Sequence, residues 1–158
     1  MPNTHQAPSL GPRGEGWVAV QLVLIAAVVA GAFFGGSWPW PVRLFGGVLL
    51  VLGALFAVAA GLGLGPALTP MPRPSGRGDL VVSGPYAVVR HPIYSGVAAA
   101  AMGFSVLVSS WWSLGVSLLA LVFLHFKAMH EEEWLVEHYP GYADYMRRVP
   151  RRLIPWFT

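Results

Sequence analysis

The 158-residue chain contains no cysteine and very little charge. Without cysteine it can form no disulfide framework, no zinc–thiolate site and no cysteine nucleophile. Charged residues make up 11% of the chain, against about 25% in ordinary soluble domains, and 55% of the residues are hydrophobic. This composition excludes an ordinary soluble domain and indicates a protein that lies in a membrane.

Four apolar stretches are separated by polar or turn-forming segments. The first two, 17–34 and 42–64, are long enough to cross a bilayer, and two more follow at 93–109 and 111–128. A very short turn joins the last two, so we expect them to form a tight antiparallel hairpin. The sequence therefore predicts an all-α integral membrane protein with about four transmembrane helices.

These stretches divide the chain into three regions: a polar tail at 1–16, two transmembrane helices at 17–64, and a C-terminal region at 65–158. The C-terminal region opens with a loop, 65–92, that contains six prolines and is too long for a simple connector. After the fourth span, aromatic and aliphatic residues recur at helical spacing until Pro140-Gly141 interrupts them. We expect two short amphipathic helices that lie on the membrane surface here.

Glycines four residues apart occur near two helix ends. Gly31 and Gly35 form one pair, and Gly61 and Gly65 form the other. Small residues at this spacing usually allow two helices to approach closely. We therefore expect both pairs, and the second in particular, to pack against a neighbouring helix.

Positive charge is distributed unevenly about the four spans. With an even number of spans, the N-terminus, the long loop and the C-terminal segment share one side of the membrane. That side carries nine of the ten Lys and Arg residues, and the other side carries only Arg43. By the positive-inside rule, the nine-residue side is cytoplasmic, as in a bacterial inner membrane. The nine are Arg13, Arg73, Arg77, Arg90, Lys127, Arg147, Arg148, Arg151 and Arg152.

A stiff corner precedes the third span. Each proline in the segment 84–96 fixes its own φ, and Pro92 holds His91 toward extended geometry. Because Pro92 suits the first position of a helix, Arg90 and His91 should lie at a helix N-terminus near the lipid headgroups. Such a position suits an anionic group of a ligand. A tight loop whose arginine reaches the headgroups explains the same residues equally well.

Three carboxylates follow the fourth span directly. Glu131 and Glu132 point about 100° apart if this segment is helical, so they can make two different contacts. The hairpin brings them beside the segment from Arg90 to Tyr94, on the cytoplasmic side. A zwitterionic ligand with an amine, a carboxylate and an aromatic base would suit such a site. The alternative is a solvated, charged helix end, which also fits Glu133.

Several other function classes lack their motifs. The segment from His130 to Trp134 does not match the HExxH zinc motif, and the chain has no phosphate-binding loop. The spans carry almost no ionisable residues apart from His125 and Lys127, so a proton relay or channel is disfavoured. We therefore expect no metal site and no nucleic-acid partner.

Spaced blocks of sequence add a family resemblance. The first block is Gly84-Pro85-Tyr86-x-x-x-Arg90-His91-Pro92-x-Tyr94-x-Gly96, and Glu131-Glu132-x-x-Leu135, Tyr142-x-x-Tyr145 and Val149-Pro150-Arg151 follow in order. Their order and spacing over about residues 70–156 resemble the isoprenylcysteine carboxyl methyltransferase and phospholipid methyltransferase group of integral membrane enzymes.

The resemblance implies S-adenosylmethionine as methyl donor and makes 65–158 the catalytic region. It implies a lipophilic acceptor: an isoprenylcysteine-type carboxylate, a phospholipid amine or a hydrophobic thiol. A non-catalytic membrane protein that retains a cofactor-like pocket, or acts as an assembly partner, is the alternative. The implied catalytic residues are Arg90, Glu131, Tyr145 and Arg151. The implied cofactor-binding residues are Tyr86, Arg90, His91, Pro92, Tyr94, Gly96, Glu131 and Glu132, with Gly61 and Gly63 as a weaker Gly-x-Gly match.

Overall fold

The computed structural model describes residues 11, 14–69, 71 and 78–154. The described residues form five α-helices and three short 3₁₀ turns, without a strand. The helices are α1 (Glu15–Ala30), α2 (Trp40–Leu64), α3 (Pro92–Leu107), α4 (Trp111–His138) and α5 (Tyr142–Arg148), and the 3₁₀ turns are Gly31–Phe34, Gly65–Ala67 and Gly84–Ala87.

The predicted membrane architecture is confirmed. Three helical segments, Glu15–Phe34, Trp40–Ala67 and Trp111–His138, are long and apolar enough to cross a membrane, and α3 is a shorter apolar helix. Large apolar side chains cover their outer surfaces, and Phe33 is 88% exposed. Because exposed apolar side chains on this scale are unfavourable in water, the outer surface fits a lipid environment.

Local sequence signals set the helix boundaries. Pro92 is the first residue of α3, where its missing N–H removes no helical hydrogen bond. Ser110 caps α4, because its Oγ accepts a hydrogen bond of 3.2 Å from the backbone N–H of Ser113. Helix α4 ends at His138, just before Pro140-Gly141.

The first of the two expected surface helices is not a separate helix. It continues the fourth span without a break, so that α4 has 28 residues. At about 1.5 Å per residue, the twenty residues from Trp111 to His130 already span about 30 Å, the thickness of the hydrocarbon core. Glu131 and Glu132 therefore follow a stretch long enough to cross the hydrocarbon core, on the same continuous helix.

Helices α2 and α3 pack through four glycines. A Cβ atom added to Gly53 would lie 2.6 Å from the backbone N of Ala100, and one added to Gly96 would lie 2.6 Å from the backbone O of Gly53. Gly46 and Gly103 face each other in the same way, seven residues before Gly53 on α2 and seven residues after Gly96 on α3. The backbones of two antiparallel helices thus touch directly, as in small-residue packing between membrane helices.

We predict that Gly46→Ala destabilises the fold by about 1–3 kcal/mol, because the new methyl group overpacks this contact. Its Cβ would lie 2.5 Å from the backbone N of Leu107. Gly47→Ala is the matched control, since its Cβ meets only the Leu107 side chain, at 3.7 Å. Thermal unfolding in detergent measures both variants, and equal midpoints would contradict the prediction.

The two glycine pairs singled out from the sequence differ in their surroundings. Close packing is confirmed at Gly35, where an added Cβ would lie 2.5 Å from the carbonyl of Val108, and at Gly31, which abuts Trp112. Among the described residues, close packing is not found at Gly61, which has only a side-chain neighbour at 4.0 Å, or at Gly65, which has no neighbour within 4 Å, so the prediction is wrong there. That end of α2 faces outward, beyond its contact with α3.

Helix α1 runs antiparallel to α4. Ser113 Oγ donates to the carbonyl of Val28 at 2.8 Å near one end, and Lys127 Nζ donates to Gln21 Oε1 at 2.6 Å near the other. Helix α3 also packs against α4. The N-terminus of α3 and the C-terminal part of α4 therefore lie together at one end of the bundle.

Candidate functional site

A C-terminal strap, residues 149–153, docks on the corner that precedes α3. The backbone N–H of Arg90 donates to the carbonyl of Arg151 at 2.9 Å, and that of His91 donates to the carbonyl of Arg152 at 3.0 Å. Ser95 Oγ donates to the carbonyl of Leu153. The strap thereby satisfies two N–H groups that the proline-stiffened corner cannot use within a helix.

Glu132 lies at the centre of a buried ionic cluster. Its Oε1 accepts a hydrogen bond of 2.7 Å from Arg90 Nε, and its Oε2 accepts one of 2.9 Å from Arg152 Nε. Arg90 also donates from its NH1 nitrogen to the carbonyls of Val149 and Pro150, at 2.8 and 2.7 Å. Since buried charges are costly unless paired and hydrogen-bonded, this cluster joins α4, the corner and the strap into one unit.

Glu131 makes a separate set of contacts. Its Oε2 accepts a hydrogen bond of 2.7 Å from the Tyr94 hydroxyl and lies 3.6 Å from His91 Nδ1. The His91 ring stacks on Tyr94, with ring centroids 5.5 Å apart, and its Nε2 lies 3.2 Å from Glu132 Oε1. His91 therefore lies between the two carboxylates. Because consecutive residues of a helix point about 100° apart, Glu131 and Glu132 reach different partners.

A cavity of about 420 Å³ opens beside these groups. Helices α1, α3, α4 and α5, the end of α2 and the segment 79–81 all contribute to its wall. Six of the residues singled out from the sequence line it: Tyr86, Arg90, His91, Tyr94, Glu131 and Tyr145. Its other lining residues are Val18, Gln21, Leu22, Leu64, Ala67, Leu68, Thr69, Asp79, Leu80, Val81, Ile93, Lys127, Leu135, Tyr139 and Tyr142.

Three of the remaining residues lie behind the cavity wall. Glu132 is buried in the ionic cluster, and Pro92 begins α3. Gly96 packs against the backbone of Ala57 in α2, where an added Cβ would lie 2.6 Å from the Ala57 nitrogen. These three positions hold the wall in place without facing the cavity.

The other three residues are not brought into the cavity wall. Gly61 and Gly63 lie on α2 just before Leu64, which does line the cavity. Arg151 contributes its backbone carbonyl to the strap, but its side chain is exposed, and its neighbour Arg152 reaches Glu132 instead.

Sequence reasoning did not single out three polar residues of this region as site residues. Arg152 binds Glu132, and Lys127 and Gln21 line the cavity beside Tyr142, which belongs to the blocks that carry the family resemblance. Gln21 is the one strongly polar residue of the first span, which was the available signal for it. The partners of Arg152 and Lys127 depend on how the strap and α1 pack, which no local pattern specifies.

The tyrosines of the cavity are hydrogen-bond donors. Tyr145 donates its hydroxyl hydrogen to the carbonyl of Tyr86 at 2.7 Å, and burial raises its pKa to about 12. Burial and the nearby carboxylates also raise the pKa values of Tyr86 and Tyr142 well above the ordinary phenol value. The Tyr142 hydroxyl is buried and has no hydrogen-bond partner among the described residues. All three phenols therefore remain protonated at neutral pH.

We predict that Tyr145→Phe costs about 1 kcal/mol of stability at neutral pH, through loss of one hydrogen bond. A tyrosine whose pKa is higher in the folded state than in the unfolded state makes its full contribution to stability at pH values below the unfolded-state pKa. It loses that contribution as the pH rises from 10.0 toward about 12. The unfolding free energy of the parent should therefore fall over this window more than that of the variant. Parallel slopes in alkaline denaturation would contradict the assignment.

Within the described part of the chain, no group of three or more His, Asp or Glu side chains is arranged to hold a metal ion. Glu131 instead contacts Tyr94 and His91, and Glu132 behind the wall pairs with Arg90 and Arg152.

Comparison with known proteins gives a family for this arrangement. Residues 42–141, which include the corner and both glutamates, match the family model described as phospholipid methyltransferase. The chain is 31% identical over 140 residues to the "Cobalt-zinc-cadmium resistance protein CzcN" of Cupriavidus metallidurans, covering 84% of this chain and 61% of that protein. It is 30% identical over 140 residues to the "Nickel-cobalt-cadmium resistance protein NccN" of Alcaligenes xylosoxydans xylosoxydans, covering 84% and 60%.

The chain thus spans about three fifths of the length of these relatives. The family match covers α3, α4, the corner and nearly all of α2, whereas α1 and α5, which also contribute to the cavity wall, lie outside it. This chain belongs to the phospholipid methyltransferase family of membrane proteins, within the isoprenylcysteine and phospholipid methyltransferase group.

Proposed function

We propose that this protein is an S-adenosylmethionine-dependent methyltransferase that methylates a lipophilic acceptor at the membrane surface. One observation carries the proposal. A cavity of about 420 Å³ at the lipid–water boundary is lined by a carboxylate, a guanidinium, an imidazole and several phenols. Family membership supports the reaction class.

The residues of the cavity fit such a cofactor. Its ammonium group needs a carboxylate, and Glu131 lines the cavity while Glu132 is engaged in the ionic cluster. The ribose hydroxyls of the cofactor need polar partners, and its base needs an aromatic surface. The unpartnered Tyr142 hydroxyl can serve the former, and the Tyr86 ring can serve the latter. A buried hydroxyl without a partner is a site that a ligand atom can satisfy.

Arg90 has donors left for a ligand carboxylate. A guanidinium has five N–H donors, and three of those in Arg90 already bind Glu132, Val149 and Pro150. The NH2 nitrogen therefore holds the donors that we assign to the ligand carboxylate. Arg152 acts as a positioning residue, because it reaches the cavity only through Glu132.

When bound, the cofactor supplies an activated methyl group on a sulfonium. The protein holds donor and acceptor in line and excludes water, which are large contributions to such a displacement. The corner and the strap close one side of the cavity, and α1 and the end of α2 close the lipid side. In this proposal 65–158 is the catalytic region, and it faces the cytoplasm together with both termini.

The alternative is a non-catalytic membrane protein with a retained pocket. One observation favours it: the Arg90–Glu132–Arg152 cluster is already ion-paired and hydrogen-bonded by the chain itself. A cluster of this kind has a structural purpose without any ligand. Metal resistance, which the relatives' names state for those proteins, is compatible with either role.

Calorimetry with S-adenosylhomocysteine on the full chain in detergent separates the two roles. We expect saturable binding that weakens about tenfold or more in Glu131→Gln, since a charge-assisted hydrogen bond is lost. Arg147→Ala, which removes an exposed cation of α5, should bind like the parent. An absence of binding to the parent protein would overturn the proposal and favour the non-catalytic role.

A further inference from the structure

Lys127 is a buried cation on the lipid side of the cavity. Its residue exposure is 2%, and it lies one helical turn before Glu131 on α4. Its Nζ donates to Gln21 Oε1 at 2.6 Å and lies 5.0 Å from the centre of the Tyr94 ring. An ammonium at membrane depth is expensive, so its retention there favours a functional explanation.

Only part of the donor capacity of Lys127 is used. An ammonium carries three N–H donors, and Gln21 is its one hydrogen-bond partner among the described residues. Within that same part of the chain, no carboxylate forms an ion pair with it, because Glu131 pairs with His91 and accepts from Tyr94. Lys127 lines the cavity, so an acceptor atom of a ligand can reach its free donors from there.

Among the described residues, Lys127 lacks the close carboxylate partner that the neighbouring arginines have. Arg90 and Arg152 share the carboxylate of Glu132, at 2.7 and 2.8 Å. Of the two carboxylates that line the cavity, Glu131 already accepts a hydrogen bond from Tyr94, and Asp79 is exposed to solvent. An anionic ligand group inside the cavity would give Lys127 a partner, and buried charges are stable only when they are paired.

An apolar surface adjoins Lys127. Val18 and Leu22 flank Gln21 on α1, and Leu64 and Leu68 contribute from the end of α2. Leu22 is 60% exposed and Leu68 is 52% exposed, so this wall is continuous with the lipid-facing surface. A hydrocarbon chain can therefore lie between α1 and the end of α2 while its polar end reaches Lys127.

We propose that Lys127 binds the anionic group of the methyl acceptor, and that this acceptor is a carboxylate or thiolate on an apolar tail. Gln21 and Tyr94 act as positioning residues, because Gln21 accepts a hydrogen bond from the ammonium and the centre of the Tyr94 ring lies 5.0 Å from it. The inference rests on the proposed function and narrows its acceptor to anions, as opposed to a phospholipid amine.

An anionic acceptor also agrees with the chemistry of the cavity. The acceptor's lone pair forms the new bond to the methyl carbon while the bond from that carbon to sulfur breaks. The electron pair of the broken bond stays on the sulfur, so one positive and one negative charge cancel and no proton is released. No general base is needed, which fits a cavity whose phenols are protonated.

Binding of radiolabelled laurate tests the inference. The full chain in dodecyl maltoside, at mildly alkaline pH, is immobilised for scintillation proximity measurement. We expect saturable binding that Lys127→Met weakens about tenfold or more and Lys127→Arg largely retains, because the charge-assisted contact is lost only in the first. Arg43→Met, which removes the cation at the opposite end of the bundle, should leave laurate binding unchanged.

Competition with other twelve-carbon ligands gives a second measurement on the parent protein alone. Lauryl alcohol and dodecylamine should displace laurate much less well than unlabelled laurate does. The inference is overturned if laurate does not bind saturably, if Lys127→Met binds it as the parent does, or if dodecylamine competes as well as laurate. Should Lys127→Met fail to fold, the competition result and Lys127→Arg decide the question.

S-adenosylhomocysteine binding distinguishes this inference from the proposed function. Lys127→Met should retain it within about twofold, because Lys127 is assigned to the acceptor. Retained cofactor binding with no laurate effect would overturn the inference alone. An absence of S-adenosylhomocysteine binding to the parent protein would overturn the proposed function.

Discussion

Glu132→Ala is expected to lower the free energy of unfolding by about 3–5 kcal/mol, the cost of removing one partner of a buried ion pair. Glu132 accepts hydrogen bonds from Arg90 and Arg152, and its side chain is only 5% exposed. Without the carboxylate, the Arg90 guanidinium, itself 6% exposed, keeps its burial but loses its counter-charge. Thermal unfolding in detergent, followed by tryptophan fluorescence, measures the loss.

The same substitution should also release the strap. The short contacts of Arg152 to α4 go to Glu132, at 2.8 and 2.9 Å, and only a longer contact of 3.5 Å goes to His125 Nε2; its own side chain is 25% exposed. We therefore expect trypsin to cleave after Arg151 and Arg152 faster in Glu132→Ala than in the parent. Slow cleavage together with a large loss of stability would show that the strap is held by its backbone hydrogen bonds alone.

Glu133→Ala is the matched control for both measurements. It removes the same side chain from the next position of α4, where the residue is exposed. Exposed substitutions of this kind usually change stability by less than about 0.5 kcal/mol. Equal destabilisation by both substitutions would contradict the special position of Glu132.

The corner was predictable because its constraints are local. Pro92 restricts His91 and starts α3 wherever the rest of the chain lies. The short turn between α3 and α4 forces an antiparallel hairpin, so the segment after the fourth span must return beside the corner. These two facts suffice to bring His91 and Tyr94 against Glu131 and Glu132.

The strap and the glycine contact were not predictable in the same way. The choice between Arg151 and Arg152 depends on which side of the strap faces Glu132, and hydrogen bonds from distant backbone groups set that orientation. The contact between α2 and α3 uses glycines that are seven residues apart, such as Gly46 and Gly53. The glycine pairs that stand out in the sequence are four residues apart and do not form this contact. Both features arise from tertiary packing.

Helix α4 shows how a boundary can be placed too early. The sequence changes from apolar to charged near residue 128, so polarity alone predicts that the fourth span ends there. A change in polarity does not end a helix, because Glu, Leu and Trp in this segment all tolerate helical geometry. The helix stops only before Pro140, so Glu131 and Glu132 are carried on the same rigid element as Lys127.

Glu131→Gln is expected to reduce kcat/KM for methyl transfer from S-adenosylmethionine by about ten- to a hundredfold. The loss should appear as a higher KM for the cofactor. This prediction rests on the proposed function. Of the two glutamates, Glu131 is the one that lines the cavity, and a charge-assisted hydrogen bond contributes about 1.5–3 kcal/mol. Transfer of radiolabelled methyl groups into lipid extracts measures the loss.

Stability separates this effect from that of Glu132. The amide of Gln keeps the volume of the side chain and can still accept the hydrogen bond from the Tyr94 hydroxyl, so we expect only a small shift in the unfolding midpoint. Glu137→Gln, an exposed change on the same helix, should leave both activity and stability unchanged. If Glu131→Gln unfolded as readily as Glu132→Ala, Glu131 would be a structural residue of the corner. If it kept full activity and full stability, the carboxylate that holds the cofactor would have to lie elsewhere, and Asp79 is the other acidic residue of the cavity wall.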